Sequence, residues 1–155
     1  MKRMDTQMVL RKATIADLEL LIKLRLDYLN DINGSLTEEE TAAIKAQLDA
    51  YFHKNLPEQF IAVLAESDGN VVATAFLAIT ERPANQVFIT GKTGTLLNVF
   101  TYPPYRGRGI ATQVVREIIA EARHLGVSAI DLLATPAGKP LYQKLGFSEA
   151  QHTAM

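Results

Sequence analysis

Residues 105–111, Tyr-Arg-Gly-Arg-Gly-Ile-Ala, lie where a predicted strand ends and a predicted long helix begins. The two glycines allow a sharp backbone turn and keep side chains away from a bound group. Successive backbone N–H groups would face one concavity at the positive end of a helix dipole, an arrangement that favours an anion. Arg106 and Arg108 add positive charge beside it. The stretch predicts a phosphate or diphosphate site, although an isolated Gly-x-Gly is equally compatible with a plain tight turn and solvent-facing arginines.

Two common phosphate-binding classes do not fit this stretch. No Lys-Ser/Thr pair follows the glycines, which argues against a nucleoside triphosphatase. A dinucleotide fold would need a third glycine and a downstream acidic residue to bind the ribose, and the spacing here does not match that pattern.

Hydrophobic periodicity around this stretch predicts alternating strands and helices. The predicted strands are residues 9–12, 59–66, 71–79, 95–101, 129–133 and 147–155. The predicted helices are residues 18–30, 38–52, 110–124 and 140–145. The first helix carries Leu18, Leu21, Ile22, Arg25 and Leu29 at helical spacing. Residues 67–70, Ser-Asp-Gly-Asn, predict a hairpin turn. The pattern is that of a mixed α/β fold, in which residues 95–133 need a right-handed crossover and a parallel strand pair.

Composition narrows the function classes. The 155 residues are 48% hydrophobic and 21% charged, so wholesale disorder is excluded, and the length fits one domain. Sixteen Lys and Arg against 17 Asp and Glu give a net charge of −1, which argues against a nucleic-acid partner. The absence of cysteine excludes disulfides and thiolate zinc sites and predicts a cytoplasmic protein. No apolar stretch reaches the roughly 20 residues of a membrane span, and residues 1–7 show no secretory signal.

Two motifs together resemble a known superfamily. Arg106-x-x-Gly109-x-Ala111 matches the Gln/Arg-x-x-Gly-x-Gly/Ala signature of the GCN5-related N-acetyltransferases (GNAT), and Pro103-Pro104 precedes it as in that family. Residues 141–147, Leu-Tyr-Gln-Lys-Leu-Gly-Phe, are similar to the family's second motif at the expected separation. The resemblance implies that residues 1–155 form one domain. It further implies a mixed sheet of six to seven strands, about four flanking helices and a splayed parallel strand pair.

The resemblance also implies a cofactor and the residues that bind it. Acetyl-CoA, or another acyl-CoA, would place its diphosphate on the backbone N–H groups after Tyr105 and pair its pantetheine arm with the strand before it. The residues expected to bind it are Val99, Phe100, Thr101, Arg106, Gly107, Arg108, Gly109, Ile110, Ala111, Thr112 and Thr135. Thr135 stands where the family often has asparagine, so its role there is the one departure. A backbone N–H near Phe100 or Thr101 would polarise the thioester carbonyl.

Tyr142 resembles the family's general acid. A phenol near the sulfur can protonate the thiolate that leaves when an amine attacks the thioester. From helical spacing alone, Tyr142 would instead be a half-buried residue with a surface hydrogen bond. The sequence contains no cysteine and no recognisable Ser-His pair, so we expect direct attack and no covalent acyl-enzyme.

The acyl acceptor and the general base are the least defined parts. The resemblance places Asp27, Tyr28 and Asp31 beside the acceptor pocket, although charged helix residues are commonly just solvated. Asn98 can orient a water or the acceptor but cannot take a proton, and Glu81 is a further candidate base. The three histidines lack metal-ligand spacing, so no metal is expected.

The sequence therefore predicts an N-acetyltransferase that acts on a small-molecule or peptide amine. The alternative is a non-catalytic acyl-CoA-binding module of the same fold. The resemblance also allows a homodimer.

Overall fold

The computed structural model describes residues 8–149, which form a five-stranded sheet with helices on both faces. The strands are β1 (Met8–Lys12), β2 (Phe60–Ser67), β3 (Asn70–Glu81), β4 (Lys92–Thr101) and β5 (Ala129–Asp131). The α-helices are α1 (Leu18–Asn33), α2 (Glu38–Asn55), α3 (Ile110–His124) and α4 (Lys139–Lys144). Short 3₁₀ turns, Ile15–Asp17 and Pro103–Tyr105, precede α1 and residues 106–109, which we call the glycine loop.

The strands are ordered β1-β2-β3-β4-β5, antiparallel except for the last pair. β4 and β5 are parallel, which confirms the expected crossover through α3, and they pair only from Thr93–Ala129 to Thr95–Asp131. The predicted six to seven strands were too many for the described residues. The difference lies in the predicted last strand: residues 147–149 are not in a strand, and residues 150–155 lie outside the described part.

Local signals place the starts of the first two helices. The Thr14 side chain accepts from a backbone N–H and Asp17 accepts from the Thr14 N–H, which forms a capping box before α1. Thr37 and Glu40 form the same box at the start of α2. Helix α1 runs three residues beyond the predicted end and stops at Gly34, where φ is +82°.

The start of β4 differs from the prediction. The predicted strand began at residue 95, with residues 91–94 expected in a loop, but β4 begins at Lys92, which pairs with Glu81. Gly94 is a close-packing position: a Cβ there would lie 2.9 Å from Leu77 Cδ1. The glycine therefore reflects packing within the sheet and not a turn.

The sheet has a hydrophobic core on each face. One core packs α3 on the sheet through residues such as Val114 and Ile118. The other packs α1 and α2 on the opposite face, around the clustered rings of Phe52, Phe60 and Phe76. Full burial of each such side chain is worth about 1.5–3 kcal/mol. The candidate site lies beside these cores, where β4 and β5 stop pairing.

Candidate functional site

A cavity of about 430 Å³ opens where β4 and β5 stop pairing. It is bounded by the C-terminal half of β4, the glycine loop, the end of α1 and the segment from Leu132 to Tyr142. Among the residues predicted to bind a cofactor, the following line it: Val99, Phe100, Thr101, Arg106, Gly107, Gly109, Ile110, Ala111 and Thr135. Arg108 and Thr112 are not among its lining residues. The cavity therefore gathers most of the two sequence motifs on one surface.

The glycine loop has the conformation that its sequence requires. Gly107 and Gly109 have φ values of +80° and +77°, in the left-handed region that glycine tolerates best. A Cβ added at either glycine would meet nothing within 4 Å. Gly109 is the N-cap of α3 and makes no side-chain cap bond to its first-turn N–H groups. Those N–H groups need acceptors from elsewhere, which suits an anion.

The two loop arginines have different surroundings. Arg106 Nε donates to the Thr101 carbonyl at 2.7 Å, and its Nη2 lies 3.3 Å from Asp31 Oδ2. Its guanidinium also lies 5.7 Å from the centre of the Phe100 ring. The Arg108 side chain turns towards Pro104 and Tyr105. Arg106 thus joins the loop to β4 and α1 on the cavity wall.

A β-bulge interrupts β4 at the cavity. Thr74 pairs with Phe100 and Phe76 pairs with Leu97, so two residues of β4 face one residue of β3. Asn98, one of the two, has a left-handed φ of +55° and is 1% exposed. The bulge removes local backbone groups of β4 from the ladder and turns Asn98 into the wall of the cavity.

The Asn98 side chain forms a hydrogen bond through its oxygen but not through its nitrogen. Arg25 Nη1 donates to Asn98 Oδ1 at 3.2 Å, whereas Asn98 Nδ2 is buried and has no partner. A buried donor left without an acceptor costs about 1–3 kcal/mol. Arg25 was predicted only as part of the helical stripe of α1, without a functional role, although a cation among apolar positions is a signal for one.

Tyr142 lies on α4 and lines the cavity. Burial raises the pKa of its phenol, and the nearby Tyr28 raises it further, so Tyr142 stays protonated at neutral pH. Gly138 lies close to the ring: a Cβ there would be 3.4 Å from Tyr142 Cε2. Thr135 Oγ1 accepts from the Gly138 N–H at 3.1 Å, so the threonine in the family's usual asparagine position organises the start of α4.

The predicted acceptor residues separate into two groups. Tyr28, Asp31 and Asn98 line the cavity, and the Tyr28 ring packs edge-on against Phe100 at 6.1 Å. Asp27 does not line it; its carboxylate accepts from Lys23 at 2.7 Å and from the Tyr102 hydroxyl. Asp27 lies one helical turn before Asp31 on the same side of α1, about 6 Å along the axis, and its carboxylate is held there by Lys23 and Tyr102.

Comparison with known proteins agrees with this geometry. The family model described as "Acetyltransferase (GNAT) family" matches residues 25–147, so the chain belongs to that family. The predicted family and the class of enzyme, an acyltransferase, are thereby confirmed. Within residues 8–149, no helix is long and apolar enough to cross a membrane. In the same part of the chain, no three or more His, Cys, Asp or Glu side chains form a group that could hold a metal ion.

Several relatives are similar over most of this chain. A predicted acetyltransferase from Clostridium acetobutylicum, whose structure contains acetyl-CoA, is 31% identical with a TM-score of 0.83, covering 96% of this chain and 94% of that one. A GCN5-related N-acetyltransferase from Ralstonia eutropha JMP134 is 25% identical with a TM-score of 0.79, and the match covers 96% of this chain and 97% of that one.

A curated relative from Oryza sativa subsp. japonica is named a probable glucosamine 6-phosphate N-acetyltransferase. It is 30% identical over 74% of this chain and 66% of its own length. Another curated relative, the uncharacterized N-acetyltransferase ycf52 of Pyropia yezoensis, is 28% identical over 56% of this chain and 46% of its own length. The matches thus span from about half to two thirds of these curated relatives.

Proposed function

We propose that this protein transfers an acetyl group from acetyl-CoA to a primary amine by direct attack through a tetrahedral intermediate. The observation that carries the proposal is that one cavity contains the glycine loop, the bulged edge of β4 and the protonated Tyr142. The acceptor is a small molecule or a peptide, and its amine would enter beside the end of α1, where Tyr28 and Asp31 line the cavity.

The residues present fit an acyl-CoA. The space beside Gly107 and Gly109 is open, so a diphosphate can approach the first-turn N–H groups of α3. Among the described strands, none pairs with the β5-facing edge of β4 beyond Thr95, which leaves that edge available to the amides of the pantetheine arm. A bound acyl-CoA supplies the activated carbonyl carbon and a thiol leaving group.

The protein supplies orientation and a proton. Backbone N–H groups at the bulge, where Asn98 and Val99 lie opposite one residue of β3, are suited to donate to the carbonyl oxygen as negative charge develops there. The acceptor nitrogen forms the new C–N bond, the C–S bond breaks, and Tyr142 Oη donates its proton to the departing sulfur. The acceptor nitrogen loses one proton to solvent, and the phenolate regains one from solvent.

Two measurements test the proposal. Calorimetry with coenzyme A measures binding, and a thiol-release assay measures turnover over a panel of amines that includes glucosamine 6-phosphate because of the named rice relative. We expect binding and amine-dependent thiol release. Binding without turnover on any amine would contradict the proposal and support the acyl-CoA-binding module instead.

We also infer that residues 1–155 act as one domain in the cytoplasm. The single sheet shared by both cores supports one domain, and the absence of cysteine fits a reducing compartment. Fractionation of cells that produce the protein tests its location, and a homodimer would be visible as a doubled mass in size-exclusion chromatography with light scattering.

A further inference from the structure

We infer that Asn98 selects the acceptor: its Nδ2 donates a hydrogen bond to an oxygen atom carried close to the reacting amine, and Arg25 holds the amide in that orientation. The inference rests on the proposed function and narrows its substrate class. Preferred acceptors would be amines with a hydroxyl or anionic oxygen on a nearby carbon.

The orientation of the Asn98 amide follows from its partner. A guanidinium has only donors, so the atom of Asn98 at 3.2 Å from Arg25 Nη1 must be the oxygen. The nitrogen then faces away from Arg25. It is a buried, unpartnered donor of a residue that is 1% exposed and belongs to the cavity lining. A flipped amide would place the Asn98 NH₂ group against the N–H groups of Arg25, two sets of donors with no acceptor between them.

Arg25 is an unusual partner for an amide. It is half-buried, and burial lowers the pKa of its guanidinium. Its described contacts are with Asn98 Oδ1 and, at 5.9 Å, with the ring of Tyr28. A cation that donates to the amide oxygen draws electron density from the amide and strengthens Nδ2 as a donor. The pair is therefore suited to bind an electron-rich oxygen.

The chemistry of the reaction explains why the bound atom is an oxygen. The attacking amine has one lone pair, and a hydrogen bond to that lone pair would block the attack. A hydroxyl, carboxylate or phosphate oxygen on a neighbouring carbon keeps lone pairs to spare. Asn98 lies on the bulge beside Val99, so its amide is adjacent to the backbone groups proposed to contact the thioester carbonyl.

The test compares acceptors that differ in one group. Ethanolamine and n-propylamine differ by a hydroxyl in place of a methyl. Glycine is included because it carries an anionic carboxylate near its amine. We expect kcat/KM to be roughly tenfold higher for ethanolamine than for n-propylamine, the range of a neutral hydrogen bond, if the hydroxyl is bound. A larger preference for glycine would identify an anionic oxygen as the better ligand.

Two variants of Asn98 remove the donor without disturbing the bulge. Asn98→Asp keeps an oxygen for Arg25 and tolerates the left-handed backbone, but presents an acceptor. Asn98→Gly removes the side chain at a φ that glycine adopts freely. In Asn98→Gly we expect the ratio of kcat/KM between ethanolamine and n-propylamine to fall to about one if that single hydrogen bond sets it. In Asn98→Asp the carboxylate can still accept from the ethanolamine hydroxyl but repels another anion, so any preference for glycine should be lost. Coenzyme A affinity measured by calorimetry should be unchanged.

Arg25 is a positioning residue and has its own test. Arg25→Met should raise KM for the oxygen-bearing acceptor more than it lowers kcat, because the amide can then rotate. Arg25→Lys retains a donor to Oδ1 and should restore most of the preference.

The outcomes separate the two levels of the argument. A wild-type ratio near one for every oxygen-bearing acceptor, or a ratio that survives in Asn98→Gly, would overturn the role of Asn98 while leaving acetyl transfer intact. Absence of thiol release with every amine would instead refute the proposed function, and the inference with it.

Discussion

Arg106 and Asp31 form an ion pair that joins the glycine loop to the C-terminal end of α1, with Nη2 and Oδ2 3.3 Å apart. Both residues line the cavity, and both are substantially exposed. The pair thereby places the carboxylate of α1 next to the cation that the sequence assigns to the cofactor. Part of the positive charge of Arg106 is neutralised before any anion binds.

The Asp31→Asn variant should bind coenzyme A more tightly. Removal of the carboxylate leaves Arg106 uncompensated, and an exposed charge pair is worth about 0.2–1 kcal/mol, which corresponds to a change in Kd of up to about fivefold. The gain should disappear near 1 M salt, where the Debye length is about 3 Å. Calorimetry at low and high salt measures both. An unchanged Kd at low salt would show that Arg106 does not contact the cofactor.

Tyr142→Phe should lower kcat about 10²-fold or more, because general acid catalysis typically contributes that much. Coenzyme A affinity should stay the same, since the ring is retained. Because burial raises the pKa of Tyr142, the phenol loses its proton only above its ordinary value of about 10. The wild-type rate should therefore show no fall caused by Tyr142 below that pH. Steady-state kinetics across pH measures both effects, and a wild-type rate matched by Tyr142→Phe would exclude the acid role.

Gly109→Ala should weaken coenzyme A binding beyond its effect on folding. Alanine at a φ of +77° costs about 1–2 kcal/mol of backbone strain, and its Cβ would occupy the open space beside the loop. Gly126→Ala is the matched control, since Gly126 has a φ of +79°, equally open surroundings and no place in the cavity lining. Urea unfolding should give similar losses for both variants. If calorimetry also gave equal affinities, the loop would not be the diphosphate site.

The free energy of unfolding should fall in acid partly through Asp17. The hydrogen bonds from Arg11 lower the pKa of this carboxyl. A carboxyl whose pKa is lowered on folding stabilises the folded state fully above its ordinary pKa of about 3.9. That stabilisation is lost as the pH falls through the lowered pKa of the folded state. Asp17→Asn should therefore destabilise the protein at pH 7 more than at pH 2–3. Urea unfolding at both pH values tests this, and an equal loss at both would assign the effect to the cap alone.

Much of the fold could be predicted because its signals are local. The hairpin turn at residues 67–70 and the parallel strands around α3 were predicted and are present, and the capping boxes at Thr14 and Thr37 each act over only three residues. The start of β4 was not predicted correctly, because Gly94, which packs against Leu77, cannot be distinguished in the sequence from a glycine in a turn.

Local sequence signals were enough to predict the order of the elements, the turn at the glycine loop and the position of Tyr142 on the last described helix. No local signal indicated that β4 bulges at Asn98 or that Arg25 reaches it from 73 residues away. The same is true of the bonds from Lys23 and Tyr102 to Asp27. The reason is physical: periodicity and capping act within a few residues, whereas a one-residue change in strand register or helix rotation turns a side chain to another face. Packing of the whole sheet sets that register.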